Sequence, residues 1–456
     1  MKHATIALIT AAASMAAGLT QDCTGTAKDE GGNWFCGVVN HILYQGIGGS
    51  GSYEAVTAMT STGECKKATK SYSGPLAPLN EGLSLHFRGP LNLKEFAVYT
   101  PSSQSKWKRD EGEAKKPESA HGHHRIHAAK KKQRQQKRAD WVTATIDGKV
   151  VSWENNWFGG QPSTAPAAAP ASPTATASAP ADSANPPPVS APAAAPRPKP
   201  AASGQDWDRT SYYSADSQTA ENLVFLGNYG GQGSGVWDPQ WGNSLSFLNA
   251  AGSGGASSAQ VLSNVDIPSN KEFSIFSGQP CDESCGFSRA QDVAYKGFEG
   301  ASKIFLFNFK MPMDGNRGFN GDMPAIWALN AAVPRAAQYS ACSCWPKCGE
   351  FDFFEVLASG DDKCKSTVHL APGGGSSDYF PRPTDAYVKA AVVFDGDAGG
   401  GVAIRVLADD ADFSKGLDAA TVQSWVSSTA PSAITEGGAT KKLASSLFQI
   451  AGGSLG

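Results

Sequence analysis

The sequence has little that would place the protein in a membrane. Beyond the small apolar residues 4–13, no long hydrophobic run occurs among its 456 residues. Such a run behind Lys2 and His3 is typical of a cleaved secretory signal, which we expect over residues 1–18. No Asn-x-Ser/Thr sequon occurs either, so any glycan is expected to be O-linked. We therefore expect a secreted, extracellular or cell-wall protein without a membrane span.

Positive charge is also scarce outside one segment. Residues 101–138 carry twelve Lys/Arg and four Asp/Glu, which leaves 27 basic and 38 acidic residues in the rest of the chain. An acidic exported protein of this kind is a poor candidate for binding nucleic acid. We expect no nucleic-acid partner, and we expect the protein to be a monomer.

Large apolar residues are nearly absent from two segments that we predict to be linkers. Residues 101–138 are rich in His and Lys and contain the dibasic pairs Lys108-Arg109 and Lys137-Arg138. They are interpreted as a solvated linker, a substrate for dibasic proteases, a histidine metal site or a segment that holds anionic polymers. Residues 161–205 are rich in Pro, Ala, Ser and Thr, which predicts a semi-rigid linker. Between them, residues 139–160 have β character.

Nine cysteines are present, and in an oxidising compartment they are disulfide candidates rather than metal ligands. The six that follow residue 280 could form three bridges, and the three before residue 66 would then leave one odd thiol. We expect no metal and no other cofactor.

Long helical patterns are lacking, and short β-rich runs replace them. Residues 206–456 hold runs such as "KEFSIFSG", "PAIWALN" and "GVAIRVL", separated by Gly, Asp, Ser and Pro, with one possible helix, "AATVQSWVSS". This pattern predicts an all-β fold, a β-sandwich or jelly roll. The run "KIFLFNFKM" is apolar on both faces, as in a central strand that is covered on both sides. Residues 19–100 suggest a small, separate N-terminal β-module.

The most informative stretch is "CGEFDFFEVL", which holds the three carboxylates Glu350, Asp352 and Glu355. Residues two apart share a strand face, so the side chains of Glu350 and Asp352 should point to one side of the sheet and that of Glu355 to the other. A β-bulge between Phe353 and Phe354 would bring Glu355 to the shared face. Three carboxylates in line repel and raise one another's pKa, which suits acid–base work on a glycoside. A solvated strand face would explain the pattern about as well.

Three ordered motifs resemble family 16 glycoside hydrolases, the laminarinase-type β-glucanases. They are "MPAIWAL", "GEFDFFEVL" and "STVHLAPGG". The resemblance implies a concanavalin-like β-sandwich and a retaining mechanism. In that mechanism Glu350 would be the nucleophile, Glu355 the general acid/base and Asp352 the residue that tunes them.

The same resemblance implies three substrate-binding residues: Trp327, Trp345 and His369. Trp327 would stack on a sugar ring, and His369 would hydrogen-bond near the cleavage subsite. A buried core position is the alternative for His369. The inserted residue between the acids resembles the β-1,3-glucan branch, so β-1,3-glucan or a related wall polysaccharide is the expected partner.

The arrangement of the whole chain resembles the fungal glycine-rich cell-wall proteins of the target-of-SBF kind. These have a Cys-containing N-terminal module, a dibasic stretch, a variable linker and a C-terminal domain like a glycosyl hydrolase. The resemblance implies a wall endo-1,3-β-glucanase or a transglycosylase that uses the same residues. A glucan-binding or purely structural wall protein without catalysis is the alternative.

Overall fold

Short runs of β-branched and aromatic residues, punctuated by Gly, Asp and Pro, form short strands. The computed structural model describes residues 24–102, 206–371, 373–396, 400–413, 415–427 and 445–450. It describes the backbone alone of residues 141–146, 149–154, 432–436 and 439–444. The expected signal at 1–18 and the linkers beyond residue 102 lie outside the described residues.

The strands of the first half of the fold are β1 (Lys28–Glu30), β2 (Asn33–Phe35), β3 (Val39–Gln45), β4 (Gly51–Met59), β5 (Cys65–Tyr72), β6 (Leu83–Arg88), β7 (Asn92–Pro101), β8 (Trp141–Ile146), β9 (Lys149–Glu154), β10 (Trp207–Ser214), β11 (Thr219–Glu221), β12 (Leu223–Gly227), β13 (Trp237–Asp238), β14 (Gly242–Asn243), β15 (Ser246–Leu248) and β16 (Gly255–Ala256). Those of the second half are β17 (Glu272–Ser277), β18 (Lys303–Lys310), β19 (Ala325–Asn330), β20 (Glu350–Glu355), β21 (Lys363–His369), β22 (Gly374–Pro381), β23 (Val388–Asp395), β24 (Gly401–Val406), β25 (Ser432–Glu436) and β26 (Ala439–Gln449). The helices in the described part of the chain are α1 (Ala332–Arg335) and α2 (Ala419–Val426), with short 3₁₀ turns at Glu283–Cys285 and Gln291–Val293.

Two nine-stranded sheets make up the body of the fold. The first, called the acid sheet below because it contains β20, has the order β16-β15-β12-β17-β6-β19-β20-β21-β22. The second, the back sheet, has the order β11-β10-β7-β18-β23-β24-β3-β26-β25. Their facing sides share one large apolar cluster, so the predicted all-β sandwich is confirmed. No helix among the described residues is long and apolar enough to cross a membrane.

Phenylalanines hold the two sheets together. Phe307 of the back sheet has its ring centroid 6.2 Å from Phe87 and 6.1 Å from Phe353, both of the acid sheet. The predicted two-sided burial of "KIFLFNFKM" is confirmed, because Phe307 lies in this central cluster while Leu306 lies in a second cluster on the other side of the back sheet. The helix α2 covers that second side through Val422 and forms where "AATVQSWVSS" predicts it.

Residues 24–102 do not form a module of their own, which corrects our expectation for residues 19–100. Strand β6 lies between β17 and β19 in the acid sheet, and β3 and β7 lie inside the back sheet. All six residues of β6 are buried, which a small, half-exposed module could not provide. The chain passes from one sheet to the other at Gly89, where a Cβ atom would lie 2.2 Å from the carbonyl oxygen of Ile267.

A disulfide also links the predicted N-terminal module to the C-terminal domain. Cys65 is bonded to Cys342, whereas Cys281–Cys285 and Cys344–Cys348 close short loops. Cys36 is disulfide-bonded as well. The expectation of three bridges among the late cysteines is therefore wrong. Cys364 is a free, buried thiol, and its sulfur lies 3.8 Å from Met311 Sδ in the core.

Candidate active site

Strand β20 contains one residue more than its neighbours can pair with. Ile326 of β19 pairs with Phe354, but the next residue, Trp327, pairs with Asp352, so the ladder skips Phe353. The ladder from β20 to β21 shifts over the same stretch. Phe353 and Phe354 are both buried in the central core. The bulge that the acid spacing predicts is therefore confirmed.

Because of this bulge, the three carboxylates share one face of the acid sheet. Their pairing partners are alternate residues of β19, which necessarily point to one side: Ala325 opposite Glu355, Trp327 opposite Asp352 and Leu329 opposite Glu350. This side, called the acid face below, is the one turned away from the core. In a regular strand without the bulge, Glu355 would lie on the opposite face from Glu350 and Asp352.

The neighbouring strand β6 continues these rows across the acid face. Ser84, His86 and Arg88 pair with Leu329, Trp327 and Ala325 respectively. His86 is buried, its ring centroid lies 5.3 Å from that of Trp327, and its Nε2 lies 2.9 Å from Ser84 Oγ. Desolvation lowers the pKa of His86 to about 3, so its ring is neutral at physiological pH. Residues from the N-terminal part of the chain thus form part of the floor beside the acids.

Glu350 accepts a hydrogen bond on each carboxylate oxygen. The Tyr339 hydroxyl donates to Oε1 at 2.9 Å, and the Trp345 indole N–H donates to Oε2. The hydroxyl of Tyr339 in turn accepts a hydrogen bond of 2.9 Å from the Trp327 indole N–H. These three aromatic residues therefore hold the carboxylate of Glu350 in one orientation.

Burial and like charge act together on Glu350. Burial raises its pKa, and the charge of Asp352 raises it further. The positive charge of His369 and the hydrogen bonds from Trp345 and Tyr339 oppose this rise. The net direction is upward, which brings the titration of Glu350 closer to neutral pH than that of an exposed glutamate.

Asp352 is paired with His369. Asp352 Oδ2 lies 3.0 Å from His369 Nε2. Burial raises the pKa of Asp352, as does the charge of Glu355, while His369 counteracts both. Burial alone would lower the pKa of His369, but the hydrogen bond to Asp352 and the nearby carboxylates outweigh it and raise this pKa to about 10. His369 is therefore the positive charge that balances the row.

Glu355 has a different partner. Arg88 Nη2 lies 3.4 Å from Glu355 Oε1, and Arg88 Nε donates to the Met323 carbonyl at 2.7 Å. Burial raises the pKa of Glu355, and Arg88 opposes the rise. Glu272, on the far side of Arg88, is another carboxylate whose pKa is raised by burial. The single guanidinium of Arg88 thus lies between two acids.

The structure brings all six predicted site residues to one place. Glu350, Asp352 and Glu355 form the row, and Trp345 and His369 contact it. Trp327 differs from its expected setting. It is 5% exposed, stacks on His86 and hydrogen-bonds Tyr339, so it belongs to the floor rather than to an open sugar-stacking surface.

Three contacting residues were not predicted: Arg88, His86 and Tyr339. For Arg88 and His86 no local signal existed, because only the pairing of β6 with β19 brings them to the acids. Tyr339 lies eleven residues before Glu350, directly before the cysteine-rich stretch "SACSCWPKC" that leads to the acids.

Fold and site together define a β-sandwich protein with a row of three carboxylates, two buried and one half-buried, in a site assembled from both the N-terminal and the C-terminal part of the chain. The chain belongs to the YJL171C/Tos1 family of cell wall proteins. The C-terminal family description matches residues 205–425, and the N-terminal description matches residues 40–101.

Several fungal proteins are similar to this chain over most of its length. A protein of Candida albicans named probable circularly permuted 1,3-beta-glucanase TOS1 is 39% identical over 93% of this chain and 98% of its own. A probable circularly permuted 1,3-beta-glucanase of Arthroderma benhamiae is 41% identical over 82% of this chain and 86% of its own. The Saccharomyces cerevisiae protein named probable circularly permuted 1,3-beta-glucanase TOS1 is 37% identical over 94% and 98%. No solved structure matches.

Proposed function

We propose that the protein is a secreted cell-wall glycoside hydrolase that cleaves or transglycosylates β-1,3-glucan by a retaining mechanism. The names of its relatives support the substrate class. The row of three carboxylates on one sheet face supports the chemistry, since retaining enzymes need one ionised and one protonated carboxyl group. An endo mode of cleavage is part of the proposal.

The observation that carries the proposal is the hydrogen bonding of Glu350. Both of its oxygens accept hydrogen bonds, and the indole N–H of Trp345 can only donate. These two donors favour the ionised form of Glu350 against the burial and like charge that raise its pKa, and they leave the carboxylate oriented for attack. We therefore assign Glu350 as the nucleophile.

Glu355 is the general acid/base in this proposal. Burial raises its pKa, which helps it to keep its proton for delivery to the leaving group. Arg88 limits that rise, so that Glu355 can also act as a base in the second half of the reaction.

The reaction would run in two displacements. Protonated Glu355 gives its proton to the glycosidic oxygen while an oxygen of Glu350 attacks the anomeric carbon. The bond to the leaving group breaks and a covalent glycosyl-enzyme forms. Glu355 then takes a proton from water, or from a sugar hydroxyl in transglycosylation, and that oxygen replaces Glu350 at the anomeric carbon.

Asp352 tunes the other two acids. It lies between them in the strand, and its charge is balanced by His369 at 3.0 Å. A negative charge there would also stabilise the oxocarbenium-like transition state.

Glucan binding without cleavage is a second candidate. Low exposure favours it, because Glu350 and Asp352 are only 7% and 5% exposed. A binding protein would retain insoluble glucan without releasing reducing ends.

The test uses the full chain with laminarin and measures reducing ends together with the anomer formed first, by NMR. We expect wild type to release products of retained configuration, and Glu350→Gln and Glu355→Gln to lose at least about a hundred-fold in rate. Glu221→Gln is the matched control, because Glu221 is exposed and forms its ion pair with Arg209 in the back sheet, away from the acid row. Equal rates in wild type and both site variants would refute the catalytic assignment, and glucan retention without products would favour the second candidate.

A further inference from the structure

The loop between α1 and β20 packs over the acid face, and two of its aromatic residues contact the same carboxylate. The two donors to Glu350 come from Tyr339 and Trp345 of this loop. Their rings meet edge to face, with centroids 5.4 Å apart. Tyr339 is 42% exposed as a residue, although its hydroxyl is hydrogen-bonded to both Trp327 and Glu350. A residue that served only to fill space would not need both of these polar contacts.

Two disulfides hold this loop in place. Cys344–Cys348 closes a ring of five residues that contains Trp345 and ends two residues before Glu350. Cys65–Cys342 fastens the preceding residues to strand β5. The Lys67 ammonium adds hydrogen bonds of 2.8 and 2.7 Å to the carbonyl oxygens of Ala341 and Ser343. The chain around Trp345 is therefore tied to strand β5 as well as to the acid sheet, where Asn330 donates a hydrogen bond to the carbonyl oxygen of Cys348.

We infer that Tyr339 and Trp345 are positioning residues for the nucleophile, and that the Cys344–Cys348 ring exists to hold Trp345 against Glu350. This inference rests on the proposed function. Donors on both oxygens fix the rotation of the carboxylate, so that its remaining lone pairs face the anomeric carbon. Donors on both oxygens also favour the ionised form of a group that is buried beside other acids.

The nearby charged and titratable groups come from several elements. Those that interact with Glu350 are Tyr339 of the loop, Asp352 and Glu355 of β20, His369 of β21 and Glu272 of β17, while Arg88 of β6 acts on Glu355 and Glu272. Three of these groups are carboxylates. Losing a donor to Glu350 would therefore let the surrounding negative charge move its protonation to higher pH.

The chain contains a matched control for the disulfide-closed ring Cys344–Cys348. Cys281–Cys285 has the same spacing of four residues as Cys344–Cys348 but lies away from the acid row, where Cys281 Sγ contacts Arg335. Two variants, Trp345→Phe and Tyr339→Phe, remove the hydrogen-bond donor but keep an aromatic side chain. Two double variants, Cys344→Ser/Cys348→Ser and Cys281→Ser/Cys285→Ser, each remove one disulfide. Each is made in the full chain, and melting temperature is recorded for all.

The readouts are the pH profile of kcat/KM on laminarin and the separate values of kcat and KM. We expect Trp345→Phe and Tyr339→Phe to lose about ten-fold in kcat with little change in KM, and the acidic limb to move to higher pH. The acidic limb of Cys344→Ser/Cys348→Ser should move as it does in Trp345→Phe, while that of Cys281→Ser/Cys285→Ser should stay where it is in wild type. The inference is overturned if the acidic limbs of both Trp345→Phe and Tyr339→Phe coincide with that of wild type. It is equally overturned if the two double variants share one profile.

A second measurement separates this inference from the proposed function. In chain labelled with ¹³C at the glutamate carboxyl carbon, the resonance of Glu350 is the one that Glu350→Gln removes. We expect its titration midpoint to move to higher pH in Trp345→Phe and Tyr339→Phe even if wild type cleaves no glucan. An unchanged midpoint would mean that the two aromatic residues do not act on the carboxylate.

Discussion

Arg88 and Glu355 lie 267 residues apart in the chain, and their side chains are 3.4 Å apart across the acid sheet. Arg88 reaches this place because β6 is inserted between β17 and β19. The candidate acid/base therefore has its counter-charge in the N-terminal part of the chain. Neither part contains a complete site.

The first prediction follows from this insertion. A fragment of residues 206–456 should not fold alone, because removing β3, β6 and β7 leaves both sheets interrupted and exposes their apolar faces. Near-ultraviolet circular dichroism and solubility measure the result. Co-expression with residues 24–102 should restore a soluble complex. A fragment that melts cooperatively without its partner would contradict the prediction.

The second prediction concerns the charge of Arg88. Because Arg88 lowers the pKa of Glu355, Arg88→Met should raise that pKa and extend the alkaline limb of kcat/KM to higher pH. The sign follows from the need for a protonated acid, which a higher pKa preserves further into the alkaline range. Arg88→Lys, which keeps the charge, is the control. An alkaline limb that Arg88→Met leaves in place would show that Arg88 does not act on the acid.

The third prediction tests the bulge by stability. Phe353 and Phe354 are both buried, so Phe353→Ala and Phe354→Ala should each lower the free energy of unfolding by about 3–5 kcal/mol. In a regular strand one of these side chains would point away from the core. Its replacement would then change stability by only about 0.5 kcal/mol. Urea unfolding of the two variants distinguishes the cases.

The fourth prediction concerns His369 and pH. Its pKa is raised in the folded state from 6.5 to about 10, so the stabilisation by its charge declines as pH rises toward 10. The advantage of wild type over His369→Gln in free energy of unfolding should shrink between pH 7 and 10. Denaturant titrations at pH 7, 8.5 and 10 measure it. A difference that stays constant over this range would mean that His369 is uncharged in the folded protein.

The carboxylate row could be predicted because it is a local pattern. Glu350, Asp352 and Glu355 lie within six residues, and a mismatch in alternation is visible in any strand. The resemblance of the flanking motifs also supplied Trp327 and His369. The burial of Trp327 could not be predicted, since it depends on His86 and Tyr339, which approach from elsewhere in the chain.

The cysteines show the same division. Their number and the oxidising compartment predicted disulfides, but the bond between Cys65 and Cys342 joins positions 277 residues apart. No spacing rule reveals such a bond. It required the hairpin of β4 and β5 to lie beside the loop that carries Tyr339.

By itself, the sequence determined the all-β fold, the double-sided burial of β18 and the turn of Glu355 onto the acid face, because alternation along a strand decides which way each side chain points. The tertiary structure decided which strands are neighbours. That choice placed Arg88 beside Glu355, and it joined residues 24–102 and 206–450 in the same two sheets. Neighbouring strands are selected by long-range packing of whole apolar faces, which no short stretch of sequence encodes.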